Sequence, residues 1–216
     1  MILEYMGHSC FKLTLADGTT IVMDPYGTFY NYPKRSLQAD ICTISHHHHD
    51  HEGISLLTGD PIIVDSAGTH IPKAGVIIRG IPTYHDELKG QKRGSNLAFL
   101  IEVDDLRIAH LGDLGHRLNP DQTAALQDLD LLLIPVGGFY TIDAPTAIGI
   151  MEDLSPKVTI PMHYKTKAAP DMPITPVGDF LDLLRVSPEP MALIRITAQD
   201  ISQRPSVVLM TTPEGL

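Results

Sequence analysis

The chain has only two cysteines, Cys10 and Cys42, no run of basic residues and no apolar stretch of membrane-spanning length. Each absence removes a class of protein. The cysteines are not spaced as a zinc pair, and both sit in apolar, strand-like segments where a free thiol serves as a small core residue. A disulfide between them stays open, but a reduced setting fits. Without a basic run there is no extended footprint for nucleic acid. The balance of 16 basic against 26 acidic residues, net −10, reads as solubility. Met1 to Tyr5 lack the charged region and apolar core of a signal peptide, and no span suits a bilayer, so a cytoplasmic protein without a membrane partner is expected. Linker composition and internal repeats are absent too. A chain of 216 residues can bury one substantial core, and one domain over residues 1–216 is the simplest reading.

What the chain has is histidine in one place. His46-His47-His48-His49-Asp50-His51 is internal and flanked by ordinary sequence. Spaced as His46-x-His48-x-Asp50-His51, it puts four metal-ligand side chains in one short turn. Imidazoles and a carboxylate suit zinc, manganese or iron. A register through His47 and His49 is also possible, but alternation turns those rings away from His46 and His48, and Asp50 would then directly follow the second histidine.

The hexad follows a buried strand over 40–45, and residues 52–57 can start a helix. Strands are also predicted over 2–6, 11–15, 20–24, 61–65, 76–79, 96–103, 106–111, 131–134, 157–161 and 206–211. Turns at Ala16-Asp17-Gly18-Thr19 and Asp104-Asp105 make hairpins. Asn119-Pro120-Asp121-Gln122 reads as a capped helix start. Helices are expected over 143–154 and 176–185. Residues 25–38, rich in aromatics and proline, read as a loop over a site. Two sheets packed in the middle with helices outside satisfy this order.

Four more chemistry-bearing residues follow strand-like segments: His8 in Gly7-His8-Ser9-Cys10-Phe11, His85 after Pro82-Thr83-Tyr84, Asp113 in His110-Leu111-Gly112-Asp113, and His163 in Ile160-Pro161-Met162-His163. One histidine after a strand means little. Four such strand ends alongside a ligand hexad point to one metal site at one edge of a sheet.

The hexad resembles the first metal motif of the metallo-β-lactamase superfamily, and His85, Asp113 and His163 match its later motifs in order. The segments GHSCF, MDPY, HLGDLGH, PVGGFYTIDA and IPMHYKT are similar to the small single-domain proteins near the ascorbate-6-phosphate lactonases, over about residues 3 to 185. The resemblance implies an α/β, four-layer αββα sandwich with two metals at one edge. It implies His46, His48 and His85 for the first metal, Asp50, His51 and His163 for the second, and Asp113 as the bridge. The chain keeps the Asp-His of the first motif that flavodiiron proteins replace. It has no basic exosite of a tRNA-processing endonuclease, and little room for the glutathione-gripping helices of glyoxalase II.

The expected function is a binuclear metal-dependent hydrolase. A hydroxide activated by the metals would attack a small ester, lactone or phosphoester, with Asp50 and Asp113 holding it and accepting its proton. Two divalent ions, zinc first with manganese or iron as alternatives, outweigh the two carboxylates and favour an anionic small-molecule partner. A phosphodiesterase acting on a cyclic nucleotide is the alternative chemistry. A non-catalytic metal- or ligand-binding protein is the alternative class. His8, Tyr140 and Lys165 are candidate substrate contacts. Asp24, Asp86 and His110 are candidates to orient a ligand imidazole, while His70 and His116 are read as non-ligands. Metal identity, substrate and oligomeric state are open.

Overall fold

Two six-stranded sheets packed face to face form the centre of the molecule. The computed structural model describes residues 1–213 and 215. The first sheet contains β1 (Ile2–Gly7), β2 (Cys10–Thr14), β3 (Thr20–Met23), β5 (Ile41–Thr43), β7 (Ile62–Val64) and β14 (Leu193–Arg195), in the order β14-β1-β2-β3-β5-β7. The second contains β8 (Gly68–Lys73), β9 (Val76–Tyr84), β10 (Ser95–Val103), β11 (Leu106–His110), β12 (Leu131–Pro135) and β13 (Val158–Met162), in the order β13-β12-β11-β10-β9-β8. A two-stranded ribbon joins β4 (Leu37–Gln38) to β6 (Leu57–Thr58). The helices are α1 (Pro120–Ala125), α2 (Ala144–Leu154) and α3 (Val177–Leu184).

Alternation along the strands builds the core. Leu3, Tyr5, Phe11, Leu13, Ile21 and Met23 of the first sheet meet Ile78, Phe99, Ile101, Ile108, Leu133 and Ile160 of the second. The opposite face of the second sheet, with Ala98, Leu100, Ala109 and Leu132, packs on Ala147, Ile150 and Leu154 of α2 and Phe180 of α3. On the outer face of the first sheet the covering layer is loop rather than long helix: Tyr26, Phe29 and Tyr32 join Ala168, Met172 and Ile174 over Met6, Cys10 and Val22. Both cysteines are free and buried. Among the described residues no helix is long and apolar enough to cross a membrane.

The capped start of α1 is present as read. Asn119 Oδ1 accepts from Gln122 N, and Gln122 Oε1 accepts from Asn119 N, both at 2.9 Å. The main departures lie where pattern was weak. Residues 52–57 give only a 3₁₀ turn, Ile54–Leu56, because the chain passes straight into β6 and Gly53 offers no side-chain cap. Residues 206–211 make isolated bridges, Val207 to Thr159 and Met210 to Met191, rather than a strand. The edge strands β8 and β14 were not read from the sequence. In β8, Pro72 falls at a register shift between His70 and Lys73. β14 is short and largely exposed.

The parallel strands set the site. β3, β5 and β7 run parallel in the first sheet, and β11, β12 and β13 run parallel in the second. Their C-terminal ends deliver Asp24, the hexad, Asp113 and His163 to one edge of the sandwich.

Candidate metal centre

Three overlapping groups of ligand atoms converge at that edge: His46, His48 and His85; His46, His51 and Asp113; and His8, His51 and His163, each with its ligand atoms within 4.8 Å of one another. Asp113 lies between them. Its Oδ2 is 3.2 Å from Nε2 of both His85 and His163, and 3.9 Å from His46 Nε2. Its Oδ1 is 3.2 Å from His51 Nε2. Asp50 sits beside this set, with Oδ2 3.9 Å from His51 Nε2.

These are close approaches without hydrogen-bond alignment. His46 Nε2, His51 Nε2 and Asp113 Oδ1 are buried and lack a hydrogen-bond partner. Buried polar atoms are normally paired. Two orphaned nitrogens and a carboxylate oxygen in one buried group fit a divalent cation, and the donor set of imidazole and carboxylate suits zinc, manganese or iron.

The register in the hexad follows from the turn. His46 is buried, whereas His47, His48 and His49 are exposed. His48 nevertheless joins His46 and His85. His47 instead meets Glu52, with Nδ1 3.0 Å from Oε2. His49 lies outside all three groups.

Asp24 organises the inner wall. Its Oδ2 is 2.8 Å from His51 Nδ1, and its Oδ1 accepts from Ser45 N at 2.8 Å. Ser45 Oγ gives its single proton to Asp24, so His46 Nδ1 must donate to Ser45 Oγ across 3.0 Å. One buried carboxylate thereby turns the Nε2 atoms of both His46 and His51 toward the cage. Asp113 is held through its backbone: its N–H donates to Asn96 Oδ1 at 2.9 Å, and Asn96 Nδ2 bonds Thr83 Oγ1 and Leu111 O. The sequence flagged Asp24 but not Ser45 or Asn96, whose roles depend on strand neighbours far apart in the chain.

The electrostatics come from burial set against close charges. Burial, then the charge of His51, pushes the His46 imidazole down to about 3. Burial alone would raise Asp113, but the charges of His163 and His51 outweigh it and hold the carboxyl well below its usual range. Burial would likewise raise Asp50, yet its contact with His8 and the charge of His51 keep it low. Burial would lower His51, but Asp113 and Asp24 raise it well above the imidazole range. The same two carboxylates would favour a cation at His51 Nε2.

Close approach of backbone allows this crowding. A Cβ on Gly137 would stand 2.2 Å from the carbonyl oxygen of His163, and one on Gly115 would stand 2.3 Å from the backbone of His85. His8, Asp24 and His163 all take left-handed φ values, 58°, 45° and 52°. Non-glycine residues rarely do so, and such strain gathers at functional sites.

The three candidate substrate contacts fare differently. Tyr140 lines a cleft of about 390 Å³ with Phe29, His48, Asp50, Asp113 and His163. His8 does not line it. It is fully buried behind Asp50, with Nε2 3.2 Å from Asp50 Oδ2, so it supports the site rather than touching substrate. Its carbonyl oxygen also accepts from His163 N at 2.9 Å. Lys165 is not in the cleft either. After His163 the chain turns away, Lys165 N donates to Thr175 O, and the residue lines a separate groove with Val177 and Leu209. Asp86 spends its carboxylate on loop amides, and His110 Nε2 meets Ser9 O, so neither orients a ligand imidazole.

A sandwich with a histidine and aspartate cage at the C-terminal edge of its parallel strands defines a metallo-β-lactamase-type domain. The sequence pattern of the β-lactamase superfamily domain matches residues 2–163. A UPF0173 metal-dependent hydrolase of Thermoplasma acidophilum is 27% identical over 209 residues, covering 85% of each chain. One from Methanoculleus marisnigri is 30% identical over 190 residues, covering 77% of this chain and 82% of its own. The crystal structure of a candidate zinc-dependent hydrolase of the metallo-β-lactamase superfamily from Thermotoga maritima is 35% identical, covers 97% of this chain and 98% of its own, and superposes with a TM-score of 0.80. The chain belongs to the metallo-β-lactamase superfamily and, within it, to the UPF0173 metal-dependent hydrolases.

Proposed function

We propose that the protein is a binuclear metal-dependent hydrolase of small esters, lactones or phosphoesters. The observation that carries this reading is Asp113, a buried carboxylate set between two imidazole clusters, with His46 Nε2 and His51 Nε2 beside it lacking a hydrogen-bond partner. His46, His48 and His85 would hold one cation, and Asp50, His51 and His163 the other, with Asp113 between them. Zinc heads the candidates on donor chemistry, with manganese and iron next. When bound, the two cations would lower the pKa of a water and offset negative charge developing on the substrate.

The chain's own groups supply the rest. Asp50, half-buried, faces the cleft and is held ionised by His8 and His51. An ionised carboxylate facing the cleft is the form that would bind a cation. Asp24 and Ser45 keep the ring protons of His51 and His46 on their outward nitrogens. Phe29, Tyr140 and Met172 form the apolar part of the cleft and limit water. The cleft volume suits a small molecule.

The test is a panel of lactones, carboxylic esters, thioesters and phosphodiesters offered to metal-loaded protein. Turnover of one class, lost in Asp113→Ala, is expected. A full metal complement with no turnover across the panel would overturn the enzymatic reading. Turnover of phosphodiesters alone would select the phosphodiesterase chemistry.

A further inference from the structure

A second cavity of about 330 Å³ adjoins the metal cleft, and His85, Arg93 and Tyr140 line both. Arg93 is the only Lys or Arg lining the metal cleft among the described residues. It is partly buried, yet among the described residues no carboxylate forms an ion pair with its guanidinium. Its supports are aromatic: the guanidinium carbon lies 5.6 Å from the Tyr140 ring centre and 6.0 Å from that of Phe139. Stacking of this kind holds an arginine in place without using its hydrogen-bond donors.

The loop that presents Arg93 is fixed from the metal site. Asp86, next to His85, accepts four backbone N–H groups. Oδ1 takes Leu88 and Gly90 at 2.8 and 3.0 Å, and Oδ2 takes Lys92 and Arg93 at 2.9 and 2.8 Å. The loop closes where His85 N donates to Gly94 O. Asp86 is thus spent on amides, and Asp143, also in the second cavity, accepts from Thr146 N at the start of α2. Glu87 and Lys92 line that cavity too, and among the described residues none of its three carboxylates forms an ion pair with Arg93. The aromatic platform is itself unusual: Phe139 is 61% exposed and has a φ of 57°. A strained, exposed aromatic beside an unpaired arginine and a metal cage is the pattern of a binding wall.

We propose that Arg93 binds an oxyanion of the substrate, a carboxylate or phosphate separate from the bond that is cleaved. The substrate is then a small molecule with two polar ends, one at the cage and one at the guanidinium. This rests on the hydrolase reading for the cleaved bond, but not for the anion itself.

The probes are succinate, glutarate and adipate against butyrate, titrated by calorimetry into zinc-loaded wild type, Arg93→Gln and Arg93→Lys. Wild type should bind at least one dicarboxylate about ten-fold or more tightly than butyrate, the size expected for a charge-assisted contact. Arg93→Gln should lose that preference and Arg93→Lys retain part of it. No preference in wild type, or one that survives Arg93→Gln, would overturn the proposal. Comparing 3-phosphonopropionate with succinate then tells phosphate from carboxylate as the better occupant. Metal content is measured on the same samples, so failure of the cage and failure of the anion site are separate results.

Discussion

Asp24 Oδ2 lies 2.8 Å from His51 Nδ1, and both side chains are wholly buried. Through Ser45 the same carboxylate also orients His46. Partners of this kind typically govern affinity for a cation by about 10–100-fold. Asp24→Asn should therefore weaken metal binding in that range, measured by chelator competition. Ser45→Ala should give a smaller loss, since it frees only His46. Unchanged affinity in both variants would remove Asp24 from this role.

The choice between alternating histidines in the hexad is testable directly. His47 is 65% exposed and meets Glu52. His47→Ala should leave metal content as in wild type, whereas His46→Ala should lower it. A loss confined to His47→Ala would favour the other register.

Gly137 lets the strand end carrying His163 close on the cage. With a Cβ 2.2 Å from the His163 carbonyl oxygen, Gly137→Ala must move that backbone. Metal retention on dialysis should fall several-fold, with a lower melting temperature. Gly178, with open space around its Cβ position, is the control: Gly178→Ala should retain metal like wild type.

Asp40 ties β3 to β5, the strand that leads into the hexad. Its Oδ2 accepts from Thr20 N at 2.8 Å and from Thr20 Oγ1 at 2.9 Å. These bonds hold its pKa below the ordinary carboxylate value of 3.8. A depressed carboxyl stabilises the fold above its unfolded pKa, and that contribution is lost as pH falls through the folded value. Asp40→Asn should thus melt lower than wild type at pH 7, and the gap should close in strong acid. The residue is exposed, so the gap should be no more than roughly 2–4 °C. A gap that does not change with pH would mean the loss is not ionic.

Much of this was legible in the chain because the chemistry sits at strand ends. Strands with regular burial, such as β1 and β13, announced themselves, and the residue after each, His8 and His163, could be read as a candidate ligand. Tyr140, which lines the cleft, could be singled out because it follows Gly137 and Gly138 after β12. Arg93 was not, because its place depends on Asp86 collecting four amides of its own loop, which no periodicity reveals. Lys165 was misread because the left-handed turn at His163 sends the following residues away from the cleft. β14 was missed because its pairing partner, β1, lies at the other end of the chain and only Ile194 is buried. His8 drew attention through its motif, but only the fold shows it standing behind Asp50.

The most direct test of the central claim is metal stoichiometry by elemental analysis of untagged protein, run beside Asp113→Ala and the His46→Ala/His163→Ala double variant. Close to two cations per chain in the wild type, reduced in Asp113→Ala and largely lost in the double variant, is the expected result. One cation or fewer in the wild type after reloading, unchanged by either variant, would contradict a binuclear centre built on Asp113.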